Sequence, residues 1–204
     1  MISSYNISIK IEDFIESIWT IPDYYIANSK RYHIDLDNTK KMVLNMMVDE
    51  PYFIGEFQRQ FGKSEMCLMY AVYMAMKNTN NKISLMFSDE IQCDNLRKRL
   101  GKVLKNLMIV NCFRNDAFEF NTGSIIYFNK ISDNATHVII DEAAYFSEDN
   151  LGTIMNNIPK DCDIKILTSD KENEDNITYN KLKKDKKYTI LRYCYEDSYP
   201  SMDY

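Results

Sequence analysis

Hydrophobic and polar positions along the 204-residue chain alternate between short apolar runs and longer amphipathic stretches. From Asp37, the run Asn38-Thr39-Lys40-Lys41-Met42-Val43-Leu44-Asn45-Met46-Met47 predicts a capped amphipathic helix that Asp49-Glu50-Pro51 closes. Tyr52 to Phe57 is short, aromatic and β-prone; it predicts a strand running through the polar turn Gln58-Arg59-Gln60-Phe61-Gly62 into a helix that opens at Lys63. That helix, Ser64 to Met76, is apolar nearly all round, so it should be buried and its methionines read as core. Ile83 to Phe87 predicts the next strand, and Ser88-Asp89-Glu90 caps a helix carrying Ile91, Leu96, Leu100, Val103, Leu104 and Leu107 at helical spacing. Phe118 to Phe120, the turn Asn121-Thr122-Gly123-Ser124 and Ile125 to Phe128 predict a β-hairpin inserted into this rhythm. Thr136 to Asp141 and Asp163 to Thr168 read as buried parallel strands. The order predicts an α/β fold with a mostly parallel, doubly wound central sheet flanked by helices.

Beyond Ser169 the pattern turns polar, with Asp170 to Asn176 and Lys181 to Lys187 reading as a solvated loop, Tyr188 to Tyr193 as a strand closing the sheet, and Glu196 to Tyr204 as a frayed end. The expected organisation is an N-terminal extension over 1–36, a core over 37–169, and a charged loop plus terminal strand of the same domain over 170–204.

Composition narrows the function classes. A hydrophobic content of 45% with 27% charged residues excludes disorder and a coiled coil as the main architecture. The net charge of −5 argues against a surface that coats nucleic acid everywhere, although Arg97, Lys98, Arg99, Lys102 and Lys105 form a local basic helix face. The five cysteines, Cys67, Cys93, Cys112, Cys162 and Cys194, are well separated without a CxxC pair, so buried reduced thiols are expected. His137 lies in a buried strand and reads as a core histidine, while His33 lies in a polar stretch. The start has no basic n-region, and no apolar run approaches the ~20 residues that span a bilayer, so an intracellular protein without membrane contact is expected.

Chemistry concentrates at two strand ends. Gly62-Lys63-Ser64, where a strand passes through a loop into a helix, has the parts of a phosphate-binding loop: a glycine for close backbone approach, a lysine for the β- and γ-phosphates, and a hydroxyl for Mg²⁺. The strict Walker A pattern has glycine where this chain has Phe57. Val138-Ile139-Ile140-Asp141-Glu142 delivers paired carboxylates to the end of a buried strand, with Asp141 suited to hold Mg²⁺ and Glu142 to orient and deprotonate the attacking water of ATP hydrolysis. Leu167-Thr168-Ser169 ends the next apolar strand and would place a hydroxyl, with Thr168 the nominated one, near the γ-phosphate as a sensor, although a Thr-Ser pair after a strand by itself is most often a turn.

Arg59-Gln60-Phe61-Gly62-Lys63-Ser64 resembles the deviant Walker A of the large terminase subunits, the ATPases that package viral DNA. Asp141-Glu142-Ala143-Ala144-Tyr145-Phe146 is similar to their Walker B with its continuation, Asn121 to Phe128 to their hairpin strand, and Thr168-Ser169 falls where their coupling motif lies. The resemblance runs from about Leu36 to Ser169. It implies a P-loop NTPase of the ASCE type in which Glu142, Arg59 and Lys63 are catalytic, Arg59 acting as a cis arginine finger. Residues 59–64 and Thr168 would bind ATP, and Ser64 and Asp141 would bind Mg²⁺. It implies double-stranded DNA, a capsid portal and a small terminase subunit as partners, a ring on the portal that associates weakly in isolation, and the cytoplasm of an infected cell. Three departures stand out: only Asn129 to Ala135 separate the hairpin from the Walker B strand, Asn38 and Lys40 are the polar residues where the family's adenine-reading glutamine stands, and no nuclease domain is expected. A helicase-type motor core and a non-catalytic nucleotide-binding assembly module are the alternative readings.

Overall fold

The computed structural model describes residues 9–19, 36–105, 107–169 and 176–193. His33, Cys194, most of the 1–36 extension, the acidic run 170–175 and the terminal segment from 194 lie outside them. In chain order the elements are α1 (Ile11–Ile18), α2 (Asn38–Asp49), β1 (Tyr52–Phe57), α3 (Lys63–Lys77), β2 (Lys82–Phe87), α4 (Glu90–Leu104), β3 (Val110–Phe113), β4 (Ala117–Phe120), β5 (Ile125–Phe128), β6 (His137–Asp141), α5 (Glu148–Asn156), β7 (Asp163–Ser169), α6 (Ile177–Lys184) and β8 (Thr189–Tyr193). All eight strands join one sheet in the order β3-β4-β5-β2-β6-β7-β1-β8.

Strands β5, β2, β6, β7, β1 and β8 run parallel, so their C-terminal ends share one edge. The hairpin is inserted in sequence between α4 and β6 and enlarges the same sheet: β4 pairs antiparallel with β5, which pairs parallel with β2. Its turn needs Gly123, whose φ is +79° and whose Cβ position would fall 2.4 Å from Asn80 Oδ1. β7 lies between β1 and β6 and is the additional strand of an ASCE fold.

Alternation along the buried strands loads both faces. Ile139, Phe53, Phe57 and Leu167 pack with α1–α4 on one face; Val138, Ile140, Ile54, Ile164 and Ile166 pack with α5 and α6 on the other. α3 is the central helix of the first face, buried from Met66 to Met76 as its all-round apolar pattern predicts. Among the described residues no helix is long and apolar enough to cross a membrane.

Two stretches depart from the sequence expectation. In the extension, α1 has Ile11, Phe14, Ile15 and Trp19 in the main core, so its described part is built into the domain. Within the segment read as a charged loop, Asn176 caps α6, Tyr179 is buried and Leu182 packs beside it, while Lys181, Lys183 and Lys184 fill the last turn, where cations suit the helix dipole. α6 and β8 are tied to β1 through the buried carboxylate of Glu56. It accepts hydrogen bonds from Tyr179 Oη at 2.7 Å, Lys183 Nζ at 3.0 Å and Arg192 Nε.

The sheet edge opposite the strand C-termini buries a titratable cluster. His137 Nε2 lies 3.8 Å from Asp163 Oδ2, and Lys165 Nζ, fully buried, lies 3.6 Å from the same oxygen, donates to the Glu50 carbonyl and sits over the Tyr70 ring. Burial holds His137 down to about 4 against an ordinary value of 6.5, with Asp163 opposing and Lys165 assisting. The unfolded chain therefore takes up the proton first as pH falls. This residue's contribution to stability is complete above pH 6.5 and is lost as pH falls through about 4. Thermal melts should show wild type losing stability relative to His137→Gln over that window; a difference independent of pH would contradict the argument.

Candidate nucleotide site

The strand register brings the chemistry together: Phe57 pairs with Ser169, Asp141 with Leu167 and Phe87 with Asp141, so β1, β7, β6 and β2 all end beside one another. Between β1 and α3 the loop 58–62 turns back through positive φ at Gln60 (65°) and Gly62 (92°). A Cβ on Gly62 would meet open space apart from Lys40 Cε at 3.7 Å, so conformation rather than crowding requires glycine there. Gly62 supplies no side-chain cap, which leaves the first amides of α3 facing the cleft as donors for an anion. Phe61 packs its side chain on neighbouring rings, stacking on Phe57 with ring centroids 4.5 Å apart and tilting against Tyr193; Phe57 itself fills the core where a strict Walker A has glycine.

Lys63 is 4% exposed, donates to the Gln58 carbonyl at 3.1 Å and lies 3.3 Å from Glu142 Oε1. Ser64 Oγ donates to Asp141 Oδ2 at 2.5 Å. Asp141 is 1% exposed, and burial, with Glu142 adding like-charge repulsion, raises it to about 7 against the Ser64 hydrogen bond and Lys63. Its Oδ1 is buried and has no hydrogen-bond partner among the described residues.

Glu142 stands at a backbone corner with φ 56°, ψ 48°, ahead of a 3₁₀ turn at Ala143–Tyr145. The carboxylate is held by the end of β7: Ser169 N donates at 2.7 Å to Oε2, Ser169 Oγ at 2.9 Å to Oε1, and Thr168 Oγ1 at 3.5 Å to Oε2. Thr168 is fully buried and accepts from Ala144 N, so of the pair it is Ser169 that reaches the cavity. Arg59 Nη2 donates to Tyr145 Oη at 3.2 Å across the mouth of that cavity.

Two hollows flank Lys63 and Glu142. One of about 400 Å³ is lined by Arg59, Gln60, Asp89, Gln92, Tyr145 and Ser169. The other, about 260 Å³, extends past Ser64 to Glu65, Leu96 and Arg99. Of the basic helix face, Arg97 and Lys98 are paired with Asp94, and Arg99 with Glu65, which Trp19 also holds.

Residues Arg59, Gln60, Gly62, Lys63, Ser64, Asp141, Glu142 and Thr168 thus meet at one edge as the motifs anticipate. Ser169, the second hydroxyl of the Thr168-Ser169 pair, and Tyr145, in the run after Asp141-Glu142, join them, and so does Gln92, which no motif singles out. Gln92 Nε2 donates to Ser64 Oγ at 3.2 Å and approaches Asp141 Oδ2 at 3.5 Å. The pairing of Phe87 with Asp141 is what places the first turn of α4 there.

The donor set suits Mg²⁺, which prefers hard oxygens and keeps nucleotide phosphates and water among its ligands. The Ser64 hydroxyl stands against the Asp141 carboxylate, whose second oxygen is buried without a partner, and among the described residues no group of three or more His, Cys, Asp or Glu converges to hold a metal unaided.

The sequence matches no protein-family model and no curated protein. The fold is that of phage large terminase ATPase domains. The HK97 bacteriophage large terminase superposes with a TM-score of 0.67 at 14% identity, over 91% of this chain and 43% of that one. An ATPase-domain variant of the Thermus phage P74-26 large terminase gives 0.59 at 12% identity, over 80% and 83%. The large terminase of a thermophilic bacteriophage in complex with ATP-γ-S gives 0.59 at 14% identity, over 82% and 47%. The chain therefore spans less than half the length of the whole HK97 protein.

Proposed function

We propose that this chain is the ATPase motor of a viral DNA-packaging machine, hydrolysing ATP with Mg²⁺ to move double-stranded DNA through a capsid portal, in company with a small terminase subunit. The observation that carries the reading is the convergence of Lys63, Ser64, Asp141 and Glu142 at the end of a sheet whose additional strand, β7, holds Glu142. Lys63 and the free amides at the start of α3 bind the phosphates. Ser64 and Asp141 would hold Mg²⁺, which when bound would supply neutralisation of phosphate charge. Ser169 fixes the Glu142 carboxylate by two hydrogen bonds, so that Glu142 takes a proton from the attacking water in a defined direction. Arg59, tethered by Tyr145 at the cavity mouth, swings to the transferring phosphoryl group as its charge develops.

Phosphate release from purified chain with ATP and Mg²⁺, with and without duplex DNA, tests the proposal. Turnover that needs Mg²⁺ and is lost with the Lys63 and Glu142 variants supports it; nucleotide binding without turnover in every condition would reduce the chain to a non-catalytic module. Translocation of a duplex without strand separation distinguishes packaging from helicase chemistry.

A further inference from the structure

We propose that Gln92 is a positioning residue for the cation of the nucleotide site. This rests on the reading of Ser64 and Asp141 as the Mg²⁺-holding pair. Ser64 has one hydroxyl hydrogen, and it is spent on Asp141 Oδ2. Ser64 therefore meets Gln92 only as an acceptor, which makes the amide nitrogen the atom at 3.2 Å from Ser64 Oγ and 3.5 Å from Asp141 Oδ2. The three side chains close a triangle that spans three elements: α3, β6 and α4.

What the triangle leaves over is the point. Gln92 takes one acceptor direction of Ser64 and, with Ser64, occupies Oδ2 of Asp141. The second lone pair of Ser64 and Oδ1 of Asp141 remain, the latter buried and without a partner among the described residues. The amide thus turns the two ligands so that their spare acceptors are the ones presented to a cation. Such an outer support acts on metal affinity more than on nucleotide contacts, because the phosphates are met by Lys63 and the α3 amides, none of which Gln92 touches. Gln92 is a neutral donor on the first turn of a helix whose cap, Asp89, already serves the amides of Ile91 and Gln92, so α4 does not need the Gln92 side chain to begin.

The test compares wild type, Gln92→Ala and Gln92→Glu as full chains, using a fluorescent ADP analogue titrated in Mg²⁺ and in EDTA, and Mn²⁺ binding followed by electron paramagnetic resonance. Gln92→Ala should weaken Mn²⁺ binding and Mg²⁺-dependent nucleotide affinity by about tenfold or more, with affinity in EDTA changed by less than about twofold. Gln92→Glu, which replaces the donor by a carboxylate facing Asp141, should not restore the wild-type cation response. Equal losses in Mg²⁺ and EDTA, or no loss in either, would overturn the proposal. A wild-type protein whose nucleotide binding ignores Mg²⁺ would instead overturn the site reading on which it rests, whereas a Mg²⁺-dependent wild type with an unaltered Gln92→Ala defeats the role of Gln92 alone.

Discussion

Glu142→Gln should lower ATP turnover by about a hundredfold or more while nucleotide binding persists. The amide cannot accept the proton of the attacking water, yet it is nearly isosteric with the carboxylate. Its carbonyl oxygen can still accept from Ser169 N, which donates at 2.7 Å to Oε2 in the wild-type protein. The change also removes the negative partner 3.3 Å from Lys63 Nζ. Glu142 holds that ammonium before nucleotide arrives, and the phosphates must compete with it for Lys63. The variant should therefore bind ATP as tightly as wild type or more tightly, and its binding and turnover should move in opposite directions. Single-turnover hydrolysis and equilibrium binding of ATP-γ-S measure the two separately. Wild-type turnover in Glu142→Gln would remove the catalytic assignment, and equal losses of binding and turnover would make Glu142 a structural residue.

The same pair of motifs marks how far sequence reasoning reaches. Gly62-Lys63-Ser64 and Asp141-Glu142 were legible because each sits where an apolar run breaks into polar residues, and in a parallel sheet such breaks align on one edge. The hairpin was legible from the Asn121 to Ser124 turn, since Gly123 at positive φ has few substitutes. α1 was not: its Lys10 boundary has no side-chain cap, and its stripe of Ile11, Phe14, Ile15 and Ile18 lies within an extension read as separate from the core. α5 buries only Leu151 and Ile154 and hides among polar neighbours. α6 was masked by lysines that solvate its last turn although Tyr179 is buried. Gln92 carries no chemical signature of its own, and the Thr168-Ser169 pair does not tell which of its hydroxyls reaches the cleft. Their roles arise from register, which puts the residues after Phe87 beside Asp141 and aligns Ser169 with Phe57, information that no local pattern contains.

Lys63→Met should abolish detectable nucleotide binding, a loss of at least about a hundredfold or roughly 2.7 kcal/mol. Methionine keeps an unbranched apolar stem of similar length in a position that is 4% exposed, so packing beneath α3 is retained and only the ammonium is lost. Among the described residues, that ammonium is the one cation with a nitrogen buried between the loop, through the Gln58 carbonyl at 3.1 Å, and the acid pair, through Glu142 at 3.3 Å. Without it the phosphates would face Glu142, and Asp141 behind it, with no ammonium between them; the α3 amides contribute about 0.3–2 kcal/mol, and Arg59, held by Tyr145 at the cavity mouth, does not take the place of Lys63 beside the acid pair. The cost to the fold should be smaller than the 3–5 kcal/mol typical of breaking a buried ion pair. Glu142 keeps both hydrogen bonds from Ser169, and its side chain is 20% exposed and so retains some solvation. Losing a positive charge next to Asp141 should, in addition, push that buried carboxyl further above its present value of about 7, because Lys63 is one of the groups holding it down. Denaturant melts and titration with a fluorescent ATP analogue check the two halves together. A folded Lys63→Met protein that binds nucleotide within about threefold of wild type would show that the phosphates are held elsewhere, and the whole assignment of the cleft would fall with it.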